Sequence, residues 1–300
     1  MADNAIYFGL PGKVRKLWDP TGGMLVTREL MSSVFRTGGG GARTKKALNG
    51  TRQYELNYAA LGRKTFEYLN TVHQGAYGPG PFVLIDPGRR NLLTANQSSC
   101  TSQSNDARDF TVAGAGGSLS SDSTFTTPFP RVLKWSFATT TPAAATLTLD
   151  KPSRVWPGIP LALPYIRPLT FSVSAVASTG PVNFQLAIRW LDSAGATLST
   201  ATSSMITPST SVFNRYSVSA TPPATAYYVL CLVLPDVSTI ASGEALNFSG
   251  FMLNEGLIAD ADWQLGTGVY PVQTIELPEK YGFAEPGMLV APVLSLQEVR

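Results

Sequence analysis

From residue 123 to about residue 258 the chain alternates apolar and polar residues in short runs, and no other feature restricts its fold as much. The runs are RVLKWSFA, AATLTL, LTFSVSAVA, VNFQLAIRWLD, NRYSVSATP, AYYVLCLVLP and LNFSGFMLNEG, separated by Ser, Thr, Pro and Gly. A period of two lays one side of a strand on a core and the other toward water, and turns this frequent leave no length for a helix. Phe171, Val173 and Ala175 share one face. Phe184, Leu186, Ile188 and Trp190 share another, and LDSAGA (191–196) is the hairpin that follows. The series predicts an antiparallel β-sandwich.

The front of the chain reads differently. RQYELNYAAL alternates with Tyr54, Leu56 and Tyr58 on one side, a half-buried strand. GRKTFEYLNTVHQG follows as a helix, with Phe66, Leu69, Val72 and His73 on one face, Thr65 as its cap and Gly75 as its stop. PFVLID is then a buried strand, fenced by Pro81 and by Asp86-Pro87-Gly88. After Arg89-Arg90 the composition turns to Ser, Thr, Asn, Gln, Gly and Asp, with little to build a core. Charge divides at the same place. Residues 1–95 hold 13 Lys/Arg against 6 Asp/Glu, residues 96–265 hold 8 against 10, and residues 266–300 hold 2 against 4, so the basic excess is all at the front.

The tail, GVYPVQTIELPEKYGFAEPGMLVAPVLSLQEVR, is strand-like again. A terminal ribbon cannot stand alone in water. The sandwich has strands enough, whereas the front block has too few to close a sheet. The sandwich therefore reads as an insertion. Residues 1–95 and 266–300 form one discontinuous β-sandwich or barrel domain with one helix, and residues 96–265 form the inserted module. The fold class is mainly β.

YFGLPGKVRKLWDPTGGM, the stretch from YELNYAALGRKTFEYLN to LIDPGRRNLLTANQSS, and the closing LVAPVLSLQEV resemble minor tail proteins of long-tailed actinobacteriophages. Residues 130–256 resemble the carbohydrate-binding jelly-roll modules that such proteins carry. The resemblance implies a distal tail protein, a structural virion protein of the tail tip made in the host cytoplasm. It implies a ring of copies, taken as a hexamer, at the end of the tube. The other partners it implies are the tail tube, the tape measure and the tail-tip hub, with an outward jelly roll that contacts host cell-wall glycans. A stand-alone carbohydrate-binding adhesin, or an accessory module of a cell-wall hydrolase, is the alternative; the basic split domain speaks against it, because a monomeric module has no use for one.

TGGGGARTKK (37–46) lacks the spacing of a phosphate loop and the helix that should follow. It reads as a flexible surface loop or as a basic arm whose Arg43, Lys45 and Lys46 dock on a neighbouring subunit. Nucleic-acid binding is weaker, since these residues lack interleaved aromatics. His73, the only histidine, has no nucleophile motif beside it. Asp150, Asp192, Asp236, Glu244 and Glu255 sit in or beside turns, and no pair of them is marked for glycoside hydrolysis. The chain reads as non-catalytic, with no cofactor. Two cysteines and one histidine cannot make a zinc site at these spacings, and Cys100 and Cys231 read as free thiols, a single disulfide being the alternative. No charged-then-apolar leader opens the chain, and the longest apolar run, Ala226 to Leu234, is nine residues, half of a membrane span.

Sugar binding points to tryptophans, because pyranose faces stack on aromatic rings. Trp190 shares the core parity of its strand, and Trp135 reads as core as well. Trp156, in the Pro-rich SRVWPGIPLALPYIR, is the expected stacking residue, with Tyr165 and Arg167 in the same loop. Ser172, Ser174, Gln185 and Arg189 are expected to offer a polar outward face beside it.

Overall fold

The computed structural model describes residues 6–17, 20, 23–28, 32–36, 42–46, 51–85, 91–100, 109–114, 117–122, 129, 131–137, 145–149, 156–162, 167–178, 180, 182–257, 262–269, 271–284 and 287–299. The front of the chain gives β1 (Ile6–Leu10), β2 (Lys13–Leu17), β3 (Met24–Arg28), β4 (Ser32–Arg36), β5 (Ala42–Lys46), β6 (Arg52–Asn57), α1 (Arg63–His73) and β7 (Phe82–Ile85). The middle gives α2 (Ala95–Ser99), β8 (Phe110–Ala113), β9 (Ser118–Asp122), β10 (Val132–Ser136), β11 (Thr146–Leu149), β12 (Ile159–Pro160) and β13 (Leu169–Ala177). It continues with β14 (Phe184–Leu191), β15 (Thr197–Thr202), β16 (Asn214–Ala220), β17 (Tyr228–Pro235) and β18 (Ala245–Glu255). The end gives β19 (Pro271–Glu276), β20 (Glu279–Ala284) and β21 (Gly287–Glu298). The protein is mainly β, and no described helix is long and apolar enough to cross a membrane.

Two compact units are formed: Met1–Leu10, Val14–Pro87 and Tyr270–Arg300 make one, and Pro11–Lys13 with Gly88–Val269 make the other. In the first, Phe82–Ile85 is an interior strand. One edge of it pairs with β1, Tyr7 opposite Ile85, and the other with β19, Val83 opposite Pro271. The sheet runs β2-β1-β7-β19-β21-β6-β3, with β20 paired to β21. Three of its eight strands therefore arrive after residue 270. The alternation of β6 buries Tyr54, Leu56 and Tyr58, and β21 lays Leu294 opposite Leu56 and Leu296 opposite Tyr54. At its end Glu298 is 3% exposed, its carboxylate accepting from Arg52 N at 3.1 Å and Tyr54 Oη at 3.2 Å, with Arg52 Nε at 3.5 Å.

Helix α1 closes this core with Phe66, Tyr68, Leu69 and Val72. Two details differ from the sequence reading. The cap is Gly62, with no side-chain bond, because Thr65 already lies inside the first turn. His73, the last helical residue, is exposed, and Tyr68 takes the buried place, since its hydroxyl donates to Phe8 O at 3.1 Å. The guanidinium of Arg15 lies 4.2 Å from the centre of the Tyr68 ring.

The second unit is a sandwich of two antiparallel sheets, β16-β13-β18-β10-β9 and β15-β14-β17-β11-β8, with β12 beside β17. Successive strands β16, β17 and β18 change sheet each time, as a jelly roll requires. Phe184 from one sheet meets Phe248 from the other at 5.7 Å, edge to face, and Phe171 stacks on Phe251 at 6.2 Å. Trp135 and Trp190 are buried in this unit.

The polar stretch after Arg90 belongs here. Thr94 and Gln97 form a capping box on α2, and the turn lies against β18. A bulge in β18 at Gly250 (φ +63°) frees backbone groups for side chains. Asn91 Nδ2 donates to Phe251 O (3.1 Å) and to Gln264 O (2.8 Å), and its Oδ1 accepts from Leu253 N (3.1 Å) and Leu93 N (3.2 Å). Gly266 N donates to Ser98 Oγ at 2.6 Å. Residues 91–100 and 262–269 thus form a strap on the sandwich, and the division falls at 87/88 and 269/270, where the sequence reading had 95/96 and 265/266.

Candidate functional site

The described residues of the second unit offer one sheet face of mixed chemistry, on β14, β15, β17 and β11. Its geometry follows from strand parity. The inward row of β14 is Phe184, Leu186, Ile188 and Trp190, so Gln185, Ala187 and Arg189 point the other way. Register sets their neighbours: Arg189 stands between Thr200 on β15 and Leu230 on β17, and Gln185 stands opposite Leu234. Thr148 of β11 lies opposite Leu232 on the same face.

Arg189, Gln185, Leu230, Leu234 and Thr148 are half-buried and Thr200 is exposed, whereas Ala187 and Leu232 between them are closed off. Gln185 Nε2 donates to Ser203 O at 2.8 Å. Arg189 is the only charged residue on any of the six strands of this sheet. Its Nε is buried without a hydrogen-bond partner. The arrangement supplies apolar surface, hydroxyls and an amide around one cation, which suits binding.

The sequence-predicted residues are scattered by the structure. Trp156 is 4% exposed, so no sugar can stack on its ring. The Pro-rich loop does not leave it at the surface, because Ile159–Pro160 pair with β17 and draw the segment onto the sheet. Tyr165 lies outside the described residues. Arg167 lies two residues before β13, a strand of the other sheet, and binds Glu255 at 2.9 Å. Ser172 and Ser174 also belong to that other sheet and are buried, so they share no face with Gln185 and Arg189. Arg215 donates from Nη2 to Ser172 Oγ (2.8 Å) and from Nη1 to Gly250 O (2.5 Å), and burial lowers its pKa to about 10. Leu230 and Leu234 were missed, hidden in the apolar run AYYVLCLVLP; their outward parity is the only sign of them.

Arg43, Lys45 and Lys46 lie on β5, which pairs with β4 as a ribbon and is not an irregular loop. Four of the turn acids are engaged locally. Asp192 Oδ1 accepts from Ala194 N and Ala196 N, Asp236 from Ser238 N, Glu244 from Ala241 N, and Glu255 holds Arg167. Asp150 lies outside the described residues. Among the described residues no group of three His, Cys, Asp or Glu could hold a metal ion. Cys100 and Cys231 are free and buried, and burial pushes both thiols up, Cys100 to about 12.

No protein-family model matches the chain, and no curated protein matches it. Among solved structures it is similar to the enzymatically active domain of tailspike protein 4 of bacteriophage CBA120, with 18% identity over 54% of this chain and a TM-score of 0.38. It spans only 22% of that chain. It is also similar to the xylan-binding CBM22-1 domain of Paenibacillus barcinonensis Xyn10C, with 12% identity, 57% of this chain, 97% of that one and a TM-score of 0.39. A third is TmCBM61, solved with β-1,4-galactotriose, with 10% identity, 56% of this chain, 99% of that one and a TM-score of 0.34.

Proposed function

We propose that this chain is a non-catalytic structural protein of a bacteriophage tail tip, which assembles with its own copies through the split unit and turns the sandwich toward host cell-surface glycans. The observation that carries the reading is the state of the strand edges in the split unit. Its large sheet ends on β2 at one side and β3 at the other, and β4–β5 is a two-stranded ribbon hydrogen-bonded to no other strand among the described residues. An open edge presents a row of unpaired N–H and C=O groups, and a lone ribbon is marginal in water. Copies related by a closed rotation can cover both at once without running on into a filament. Arg43, Lys45 and Lys46 on β5 then lie at the subunit boundary.

The sandwich carries the second part of the reading. A face with leucines, threonines, Gln185 and Arg189 can hold the C–H side and the hydroxyls of a sugar, and a ring that shows several such faces adds avidity.

Size-exclusion chromatography with light scattering of the full chain tests the assembly. The expected species is several times the 32.0 kDa of one chain, and replacing Ser32–Lys46 by a short Gly/Ser link should return it to a monomer that still melts cooperatively. A clean monomer for the unaltered chain at every concentration would refute the ring and leave the adhesin-type alternative standing.

A further inference from the structure

We infer that the Arg189 face takes a pyranose that bears a carboxylate, so that the glycan it reads is acidic. The inference rests on the glycan reading above and narrows its substrate. Arg52 is paired with Glu298, Arg167 with Glu255, and Arg215 with Ser172 Oγ and Gly250 O. Arg189 is as withdrawn as these, yet among the described residues nothing answers it. Among the described residues its Nε is buried and unpartnered, no carboxylate or carbonyl meets its Nη end, and no acidic residue stands on any strand of its sheet.

A half-buried cation without a partner destabilises a fold that gains nothing from it. A sheet that keeps a single charge, in the middle of one face and between Leu230 and Thr200, is built to receive the opposite charge from outside. The guanidinium is a planar fork, which fits a planar carboxylate with two parallel N–H···O bonds.

The neighbours decide which anion carrier fits. Leu230 and Leu234 are half-buried apolar side chains that need a C–H surface against them, and a pyranose ring has one. A polyol phosphate chain has no such ring face and would bring a charge with every repeat to a sheet that holds one cation. Hydroxyls beside the carboxylate meet Thr200 and Thr148. A uronic acid within an otherwise neutral glycan satisfies all of these groups together.

Calorimetric titration of the full-length assembled protein with three probes tests this: an oligogalacturonate, a neutral galacto-oligosaccharide of equal length, and polyglycerol phosphate. The oligogalacturonate should bind about tenfold or more tighter than the neutral probe, and weaken as salt is raised. Arg189→Gln should erase the difference, and Arg189→Lys, which keeps the charge and loses the fork, should restore only part of it. If Arg189→Gln does not keep the wild-type melt, displacement from the unaltered protein decides instead: glucuronate should release the bound oligogalacturonate and glucose should not. Equal binding of acidic and neutral probes, unchanged in Arg189→Gln, would overturn the inference and leave the glycan reading intact. Binding of polyglycerol phosphate alone would overturn the carboxylate assignment. Binding of no probe would overturn the glycan reading, and this inference with it.

Discussion

Asn91→Ala should be among the most damaging single changes in the second unit, although the residue sits in a stretch whose composition reads as loop. Its side chain is 1% exposed and takes part in four hydrogen bonds, donating to Phe251 O and Gln264 O and accepting from Leu93 N and Leu253 N. Truncation leaves two carbonyls and two N–H groups without that partner, inside a region water reaches poorly. A net bond contributes about 0.5–1.5 kcal/mol, and a stranded buried group costs about 1–3 kcal/mol. Some relaxation is available, so a loss of about 3–5 kcal/mol is expected. In a unit of this size each kcal/mol shifts the melt by about 2–4 °C, which makes the shift roughly 6–20 °C. Asn91→Asp keeps the shape but turns both donated bonds into oxygen–oxygen contacts, and should cost at least as much. Urea unfolding followed by tryptophan fluorescence is the assay, since Trp135, Trp156 and Trp190 all report on this unit. A loss below about 1 kcal/mol for Asn91→Ala, at unchanged slope, would refute the claim that the strap is part of the sandwich's structure. The same reasoning separates two fragments: 88–269 should melt cooperatively, and 96–265, which lacks Asn91 and Thr94, should not.

Trp156→Ala should lower the melting temperature strongly, by the equivalent of about 3–5 kcal/mol, because the ring is buried; an unchanged melt would return it to the surface. Glu298→Ala strips the buried partner from Arg52 and Tyr54 and should cost the split unit about 3–5 kcal/mol in denaturant unfolding, a loss under about 1 kcal/mol meaning that water already screens the pair. Burial raises the Tyr68 pKa from 10.0 to about 12, so the folded state holds this proton more tightly than the unfolded chain does. Stability from this group is therefore whole below pH 10 and falls as pH rises toward about 12, and Tyr68→Phe should make the alkaline loss shallower in midpoints measured at both ends of that window. Equal slopes for the two proteins would show that other groups govern the alkaline limit.

Period-two alternation made β6 and seven strands of the sandwich legible, though not β1–β5, β8, β9 or β12, and the need of the buried Phe82–Ile85 for partners pointed to the tail. What alternation cannot tell is sheet membership. Ser172 and Arg189 share outward parity, but β13 and β14 lie in different sheets, and Ser172 is buried beneath Arg215, which donates to its Oγ, while Arg189 stays half-buried. Composition misread the strap for a different reason. It registers that Asn91, Thr94, Gln97 and Ser98 are polar and not that they satisfy one another and the backbone, which is what allows them to be buried.

The exchange of Trp156 for Leu230 and Leu234 also changes how the two halves of the functional reading depend on each other. An aromatic ring stacks on a pyranose along its whole face, whereas a leucine offers a smaller, rounder surface without the ring's electrostatic attraction to C–H groups. A face built from half-buried leucines, with its centre closed by Ala187 and Leu232, can therefore bind a sugar only weakly, on the order of millimolar, or about 4 kcal/mol. One such site on a monomer would hold nothing at a cell surface. Several on a closed ring, engaging one polymer together, can raise retention about a hundredfold or more, but only if the faces reach the polymer at the same time. On the proposed reading, the sheet edges of the split unit that meet no further strand among the described residues and the single charge on the β14 sheet depend on each other: a charge-selective but weak face has a use on an assembly and little use off it, so a ring-disrupting replacement of Ser32–Lys46 should abolish glycan retention while leaving Arg189 and its neighbours untouched.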